Sequence, residues 1–180
     1  MKRSDADSLI ALARRAIAAR LDGEQAPPRP EALSGDADVH AGAFVTLRKR
    51  RRLRGCIGRI ESEWPLWQTV LRMAQAAAFE DPRFDAVEKR DMEEIAIEIS
   101  VLTPLASVTD FESIEVGRHG LVVEQGYNRG LLLPQVAVEQ GWDRERFLDQ
   151  TCVKANLPPD AWRDPATRVY AFSAEVFEES

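Results

Sequence analysis

The sequence predicts an α+β fold, built mainly on antiparallel sheets against which helices pack. Short alternating segments rich in β-branched residues recur along the chain and are joined by turn residues, as in β-hairpins. Amphipathic helical segments interrupt them without the regular strand–helix–strand rhythm of a parallel sheet. The 180 residues, 44% of them hydrophobic, fit a single domain over residues 1–180, with room for two lobes whose boundary the sequence does not locate.

The chain opens with an amphipathic helix. Apolar residues recur at helical spacing from Leu9 to Ile17, Ser4 is placed to cap the first turn, and Gly23 ends the pattern. Prolines and turn residues then predict a loop over residues 25–41. We therefore expect the helix to pack its apolar stripe against elements that follow this loop.

Two strands are predicted next, over residues 43–47 and 53–60, with the basic run 48–52 as their hairpin connection. Alternation along the second strand places Arg54 and Cys56 on one face. Residues two apart on a strand are separated by roughly 6.6 Å, so both side chains would reach one small ligand.

The rest of the chain follows the same patterns. A helix over residues 65–79 begins at Pro65, which suits a first turn, and the strand over 95–102 is the clearest in the chain. Glu98 lies on the more polar face of that strand, which favours a face open to water. The remaining predicted elements are shorter: a helical turn within 87–94, turns at 117–120 and 126–130, strands at 121–124, 131–133 and 168–177, and helices at 134–139 and 144–156, the last capped by Asp143.

Composition argues against several classes of function. A formal net charge of −6 disfavours a general polyanion binder. The two cysteines and two histidines show no ligand spacing, and there is no phosphate-binding glycine loop, so we predict neither a metal nor another cofactor. No hydrophobic signal region follows Met1, and no apolar run approaches the roughly 20 residues of a membrane span. We therefore expect a cytoplasmic protein without a membrane partner.

Several long blocks resemble the signature of the AMMECR-type domain, the family of AmmeMemoRadiSam system protein A. The resemblance covers nearly all of residues 9–178, in the expected order. The main matching blocks are residues 44–47 (FVTL), 53–58 (LRGCIG), 78–84 (AFEDPRF), 97–102 (IEISVL), 117–121 (GRHGL) and 130–137 (GLLLPQVA). The chain departs from the family at the hairpin before Leu53, where members carry a more mixed turn, often with glycine.

The resemblance implies a two-lobed α+β fold. It also implies association with a Memo-like protein and a radical-SAM protein, whose genes often accompany the family. It implies no particular reaction. Any function therefore depends on the candidate site residues themselves.

Cys56 is the sharpest catalytic candidate. A cysteine nucleophile needs thiolate character, which cationic neighbours favour, and Arg54 is the nearest such neighbour on its predicted face. His119, in a matching block, and Glu98, if its strand lies beside that of Cys56, are the candidates for handling protons. The alternative is that Cys56 is a small buried side chain, as cysteines often are. Cys152, on an apolar helical stripe, fits that second description better.

Four further residues are candidates for binding. Gly55 and Gly58 lie inside a strand, where glycine marks a bulge or the close approach of a ligand or another backbone. Asp81 and Arg83 follow the second predicted helix and form either a binding pair or a cap and ion pair that ends the helix. For both pairs a purely structural role is the competing interpretation.

Two functions remain open at this stage. The first is an enzyme, or a component of one, that uses Cys56 on a small molecule or modified nucleotide together with the Memo-like and radical-SAM partners. The second is a non-catalytic binding or scaffold module that recognises a protein partner or RNA through the basic run 48–52. No aromatic residue interleaves that run, so nucleic acid is the less favoured partner.

Overall fold

The computed structural model describes residues 1–179, which form two compact units. The first unit comprises Met1–Leu102 and the segment that begins at Glu175, and the second comprises Thr103–Ala174. Strands β1–β3 and helices α1 and α2 belong to the first unit, and β7 contributes to both. The elements are α1 (Arg3–Asp22), β1 (Ala43–Lys49), β2 (Arg52–Arg59), α2 (Leu66–Phe79), β3 (Ile95–Leu102), β4 (Ala106–Ser107), β5 (His119–Gln125), β6 (Asn128–Leu132), α3 (Pro134–Glu139), α4 (Arg144–Lys154) and β7 (Arg168–Glu178).

The sheet of the first unit is antiparallel, with β1 in the middle between β2 and β3. Alternate residues of β1 and β3 point to the core, where they meet the apolar faces of α1 and α2. The C-terminal segment returns to this unit: the Glu179 amide donates to the Ile97 carbonyl at 3.0 Å, and Phe177 is buried in the core. The first unit is therefore completed by residues from both ends of the described chain.

The β1–β2 hairpin has a two-residue turn made of Arg50 and Arg51. Both have positive φ values, 52° and 65°, as a type I′ turn requires. This turn matches the right-handed twist of the paired strands, but Asn-Gly is the pair that normally forms it. One irregularity follows in the ladder: Arg48 pairs with Leu53 and Leu47 with Gly55, so Arg54 is the extra residue of a β-bulge.

The second unit is built on an antiparallel sheet in which β5 lies between β6 and β7, and β4 pairs with β7. Helix α4 packs against β5 and β6, and its Phe147, Leu148 and Cys152 are buried in the core of this unit. Asp143 caps α4 as predicted, since its carboxylate accepts the Arg146 amide at 2.8 Å.

The predicted α+β class is confirmed, and strand β3 has the predicted bounds. The predicted cap at Ser4 is wrong: the cap position is Lys2, two residues earlier, and no side chain among the described residues caps α1. The predicted turn at 117–120 is shorter, because His119 and Gly120 already pair with Ser173 and Phe172 of β7. Among residues 1–179, every helix is too short or too polar to cross a bilayer.

Candidate functional site

Cys56 lies in the middle of β2, in a row of polar side chains that crosses the sheet of the first unit. Thr46 of β1 is its cross-strand partner, and Thr46 in turn pairs with Glu98 of β3. The Thr46 hydroxyl donates a hydrogen bond to the Cys56 sulfur at 3.3 Å. The thiol is half-buried, so it is neither sealed in a core nor fully exposed.

The main chain of Cys56 is held by the segment that follows α2. The Cys56 amide donates to Asp81 Oδ2 at 2.8 Å, and Arg83 Nη2 donates to the Cys56 carbonyl at 3.3 Å. β2 is the edge strand of its three-stranded ladder, so these contacts occupy a donor and an acceptor that a further strand would otherwise use. Asp81 and Arg83 thus substitute for a missing neighbouring strand at Cys56.

Asp81 and Arg83 also pair with each other. The Arg83 guanidinium donates from Nε to Asp81 Oδ1 at 2.9 Å and from Nη2 to Oδ2 at 2.7 Å, a bidentate arrangement. The hydrogen bond from Arg83 holds the pKa of Asp81 well below its ordinary value, even though burial of the carboxylate acts in the opposite direction. The same bond raises the pKa of Arg83, so both groups keep their charges across the physiological range.

Arg54 engages other partners than the thiol. Its guanidinium donates to the carbonyls of Asp85 at 2.7 Å and Ala86 at 3.2 Å and lies 3.7 Å from the Asp91 carboxylate. The bulge at Arg54 interrupts the alternation on which the predicted pairing with Cys56 rested.

Arg54 and Arg83 nevertheless line one cavity of about 380 Å³, which they share with the 82–85 segment. Among the described residues, those that line the cavity include two arginines and one acidic residue, Asp85.

Close packing against neighbouring elements requires glycine at both Gly55 and Gly58 of β2. A Cβ atom on Gly55 would lie 2.1 Å from the Ala77 carbonyl oxygen of α2. A Cβ atom on Gly58 would lie 2.2 Å from the Phe44 ring. Both distances are shorter than any real contact, so the strand can approach α2 and Phe44 only without side chains at these positions.

Glu98 is buried, at 8% exposure, rather than on the water-facing surface that the strand pattern indicated. Its carboxylate pairs with Arg48 at 3.3 Å and not with Arg54, because β1 lies between β2 and β3. Glu98 thus shares the polar row of Cys56 but carries its own counter-ion.

His119 lies in β5 of the second unit. Its Nδ1 accepts the Glu115 amide at 3.1 Å, and its ring lines a cleft of about 320 Å³ within that unit. Cys56, Asp81 and Arg83 are joined by hydrogen bonds within the first unit. The hydrogen bond between His119 Nδ1 and the Glu115 amide lies within the second unit. The role of His119 toward Cys56 stays a prediction.

The basic hairpin is partly neutralised by acidic residues. Lys49 lies 2.7 Å from Asp91 and 3.3 Å from Glu94, and Arg50 lies 2.7 Å from Glu94. The hydrogen bond from Lys49 lowers the pKa of Asp91. Within residues 1–179, Arg51 and Arg52 are left exposed without an acidic partner, so the positive charge available to a ligand is smaller than the sequence indicated.

Three contacts in this region were not predicted from the sequence. Thr46, Arg48 and Asp91 contact Cys56, Glu98 and Arg54 respectively. Counting back from the turn would have placed Thr46 opposite Gly55. Gly55, next to the bulge at Arg54, was the one signal in the sequence, since glycine inside a strand marks either a bulge or a close approach. In the part of the chain that the structure describes, no group of His, Cys, Asp and Glu side chains is arranged to hold a metal ion.

Comparison with known proteins gives a consistent result over the whole chain. A family model described as AMMECR1 matches residues 10–177. A protein of Methanothermobacter thermautotrophicus is 46% identical over 99% of this chain and 96% of its own length, and protein NEQ441 of Nanoarchaeum equitans is 39% identical over 96% and 99%. The crystal structure of the uncharacterized protein PH0010 from Pyrococcus horikoshii superposes with a TM-score of 0.91 at 42% identity, covering 100% of this chain and 94% of that one.

Proposed function

The chain belongs to the AMMECR1 family, and we propose that it is an enzyme, or a component of one, that uses Cys56 on an anionic small molecule or modified nucleotide. The observation that carries this proposal is the two-arginine cavity at the edge of β2. Arg54 and Arg83 both line it, and Arg83 is bonded to the backbone of Cys56. Guanidinium groups are the preferred protein ligands of carboxylates and phosphates.

Each residue has a distinct role in this proposal. Cys56 is the reactive group, and its sulfur receives the Thr46 hydrogen bond. Arg54 and Arg83 orient the anionic part of the substrate, while Asp81 fixes the position of Arg83. Glu98, two strands away in the same polar row, manages the protons. A fixed backbone under a half-buried thiol suits a positioned nucleophile.

The proposed partners are a Memo-like protein and a radical-SAM protein. Support for them comes from the family resemblance. Radical-SAM chemistry supplies reactive organic intermediates, and a thiol-bearing domain that receives such an intermediate would fit the role of Cys56.

The proposal is tested by alkylation of the folded chain with iodoacetamide at pH 7, followed by mass spectrometry of the two cysteine peptides. Cys152 is the internal control, because it is fully buried and burial raises the pKa of its thiol. We expect Cys56 to react on the order of tenfold faster than free cysteine, and inorganic phosphate to slow that reaction. A Cys56 rate no greater than that of free cysteine, together with a Cys56→Ala variant that keeps the output of the three-protein system, would contradict the proposal.

A second candidate function is a non-catalytic module that binds a protein partner or RNA. The observation that favours it is the exposure of Arg51 and Arg52 at the hairpin. In this case binding of a single-stranded RNA, or of the Memo-like partner, should weaken with salt and be lost in an Arg51→Glu/Arg52→Glu variant while Cys56→Ala binds normally. Binding that does not depend on salt excludes this function.

A further inference from the structure

A second cleft lies within the second unit, between the segment that follows Thr103 and strands β5 and β7. Its volume is about 320 Å³, and all the residues that line it belong to this unit. Its lining includes His119 and five residues with hydroxyl groups. The hydroxyl residues are Thr103, Ser107, Thr109, Ser113 and Ser173.

The ring of His119 presents a hydrogen-bond donor. Because Nδ1 accepts the Glu115 amide at 3.1 Å, the neutral ring carries its proton on Nε2. Nε2 has no hydrogen-bond partner among residues 1–179. Every buried side-chain nitrogen or oxygen in that range does have a partner, so Nε2 is not buried. Nε2 is therefore accessible, and an incoming oxygen can accept its proton.

Several of the hydroxyl groups are also available. Ser113 donates to the Asp110 carbonyl at 2.6 Å, and the Thr103 oxygen accepts the Ser173 amide at 2.8 Å. The hydroxyls of Ser107, Thr109 and Ser173 make no hydrogen bond to any residue that the structure describes. They can donate to a ligand or accept from it, because hydroxyl groups rotate to suit their partner.

The charge of the lining sets the chemical class of the ligand. Among the described residues, no lysine or arginine lines the cleft, and Asp110 is the one acidic residue that does. An anionic group would therefore meet a carboxylate and no counter-ion. This is the reverse of the two-arginine cavity of the first unit.

Part of the cleft lining is apolar. Pro104, Ala171 and Phe172 line it, and Phe172 is held against Gly120, where a Cβ atom would lie 2.2 Å from the ring. A preformed apolar wall beside convergent polar groups is the usual composition of a small-molecule site. The volume falls at the lower end of the roughly 300–1,000 Å³ range of such sites, which limits the ligand to about the size of a nucleoside.

We propose that this cleft binds an uncharged small molecule with several hydroxyl groups, a nucleoside or a free sugar, and that the His119 Nε2–H group donates to one of its oxygens. The site is separate from the Cys56 site in its residues and in the charge it selects. Its existence does not depend on whether Cys56 is reactive.

The test is a titration of the ¹⁵N-labelled full chain with adenosine, ribose and adenosine 5′-monophosphate, followed by NMR. We expect saturable shifts at Ser107, Thr109 and the His119 ring with adenosine or ribose, and about tenfold weaker binding of the monophosphate at these residues. Binding of adenosine but not of ribose identifies a nucleoside site, and binding of both ligands identifies a sugar site. Shifts of the monophosphate at Arg54 and Arg83 report on the first unit and test the Cys56 proposal instead.

Two variants make the test specific. His119→Ala should weaken binding about tenfold, whereas His40→Ala, which removes the other histidine from an exposed loop position, should leave it unchanged. Thr109→Val removes one hydroxyl from an exposed residue with little change in volume and should weaken binding about threefold without affecting the fold. The proposal is overturned by the absence of saturable shifts with both neutral ligands up to about 10 mM, by equal binding of the monophosphate at the cleft, or by unchanged affinity in both cleft variants.

Discussion

The residues around Cys56 hold its main chain more firmly than its side chain. The amide and the carbonyl are bonded to Asp81 and Arg83, whereas the sulfur has a single hydroxyl donor. A buried carboxylate whose hydrogen bonds come from two amides and a guanidinium stabilises the fold strongly, because its loss leaves those donors without a partner. The stability of this region should therefore depend on Asp81.

We expect Asp81→Asn to lower the free energy of unfolding by about 2 kcal/mol, measured by urea denaturation at pH 7. The neighbouring Glu80→Gln is the matched control, since it removes an exposed ion pair with Arg20 and should cost less than about 0.5 kcal/mol. Equal unfolding midpoints for the two variants would show that the Asp81 contacts do not stabilise the fold.

The same carboxylate predicts a dependence on pH. The pKa of Asp81 is lowered in the folded protein by the Arg83 hydrogen bond, so its stabilisation is complete above the unfolded-state pKa of about 3.9 and declines as the pH falls toward the folded-state value. The difference in unfolding free energy between the wild type and Asp81→Asn should thus be constant from pH 7 to about pH 5 and shrink below pH 4. A difference that grows on acidification would contradict this assignment.

Gly55 gives a residue-scale test of strand packing. Gly55→Ala would bring a Cβ atom to 2.1 Å from a backbone oxygen of α2, which cannot rotate away, so we expect a loss of about 3 kcal/mol in urea denaturation. Gly35→Ala is the control, because a Cβ atom there meets nothing within 4 Å, and it should change stability by less than about 1 kcal/mol. A Gly55→Ala protein as stable as the control would mean that α2 adjusts freely.

The sequence did not predict which residues lie opposite Cys56 in the polar row. Thr46 is opposite Cys56 only because Arg54 forms a bulge, and a shift of one residue moves a side chain to the other face of a sheet. Glu98 was predicted to lie near Cys56 by assuming that their strands are neighbours. The observed order places β1 between them, which local patterns do not specify.

At the scale of elements, the β1–β2 hairpin adopts a turn for which its residues are poorly suited. A non-glycine residue with positive φ costs about 1–2 kcal/mol, and Arg50 and Arg51 both have it. Only Arg50 has a compensating ion pair among the described residues, with Glu94 at 2.7 Å. Among the described residues, the strain at Arg51 is therefore offset only by the backbone pairing of β1 with β2.

Arg51→Gly should stabilise the protein by about 0.5–1 kcal/mol, since glycine adopts φ near 65° without the steric cost. Arg52→Gly, one residue later in β2, should destabilise it by a similar amount because it weakens a strand without relieving strain. Thermal unfolding of the two variants gives opposite shifts in Tm if this turn is type I′. Shifts of the same sign would contradict the assigned turn.

Long amphipathic elements were predictable, and short ones were not. The bounds of β3 and the cap of α4 at Asp143 follow from alternation and from the chemistry of an aspartate before a helix. The start of β5 at His119 does not, because residues 119 and 120 become a strand by pairing with β7, some 50 residues away in sequence. The cleft beside His119 depends on that distant pairing, so local reasoning could not have found it.

At the scale of the whole molecule, the first unit is discontinuous in sequence. Phe177 is buried in its core, and Glu179 pairs with Arg14 at 2.6 Å and accepts the Ile97 amide at 3.1 Å. The second unit, in contrast, is one continuous stretch from Thr103 to Ala174 with its own core. Damage to the C-terminal segment should therefore affect the unit that contains Cys56.

Phe177→Ala should lower the free energy of unfolding of the first unit by about 3 kcal/mol, because it leaves a cavity in the core. Hydrogen exchange should show faster exchange in α1 and β3 and little change in α4. The neighbouring Val176→Ala is the control, since Val176 is 47% exposed and its truncation should cost less than about 1 kcal/mol. Faster exchange in α4 than in α1 would contradict this division.

The discontinuity has a consequence for biosynthesis. A ribosome must translate the roughly 75 residues that separate Leu102 from Phe177 before the nascent first unit receives its last core side chain, which takes about 4–15 s at typical elongation rates. The second unit ends at Ala174, so its strand β7 is itself translated only at the end of this interval. Until then α1, α2 and strands β1–β3 lack Phe177 in their core. We therefore expect chaperones to bind the growing chain during this interval, because the core of the unit that carries the half-buried Cys56 thiol is incomplete until Phe177 is translated.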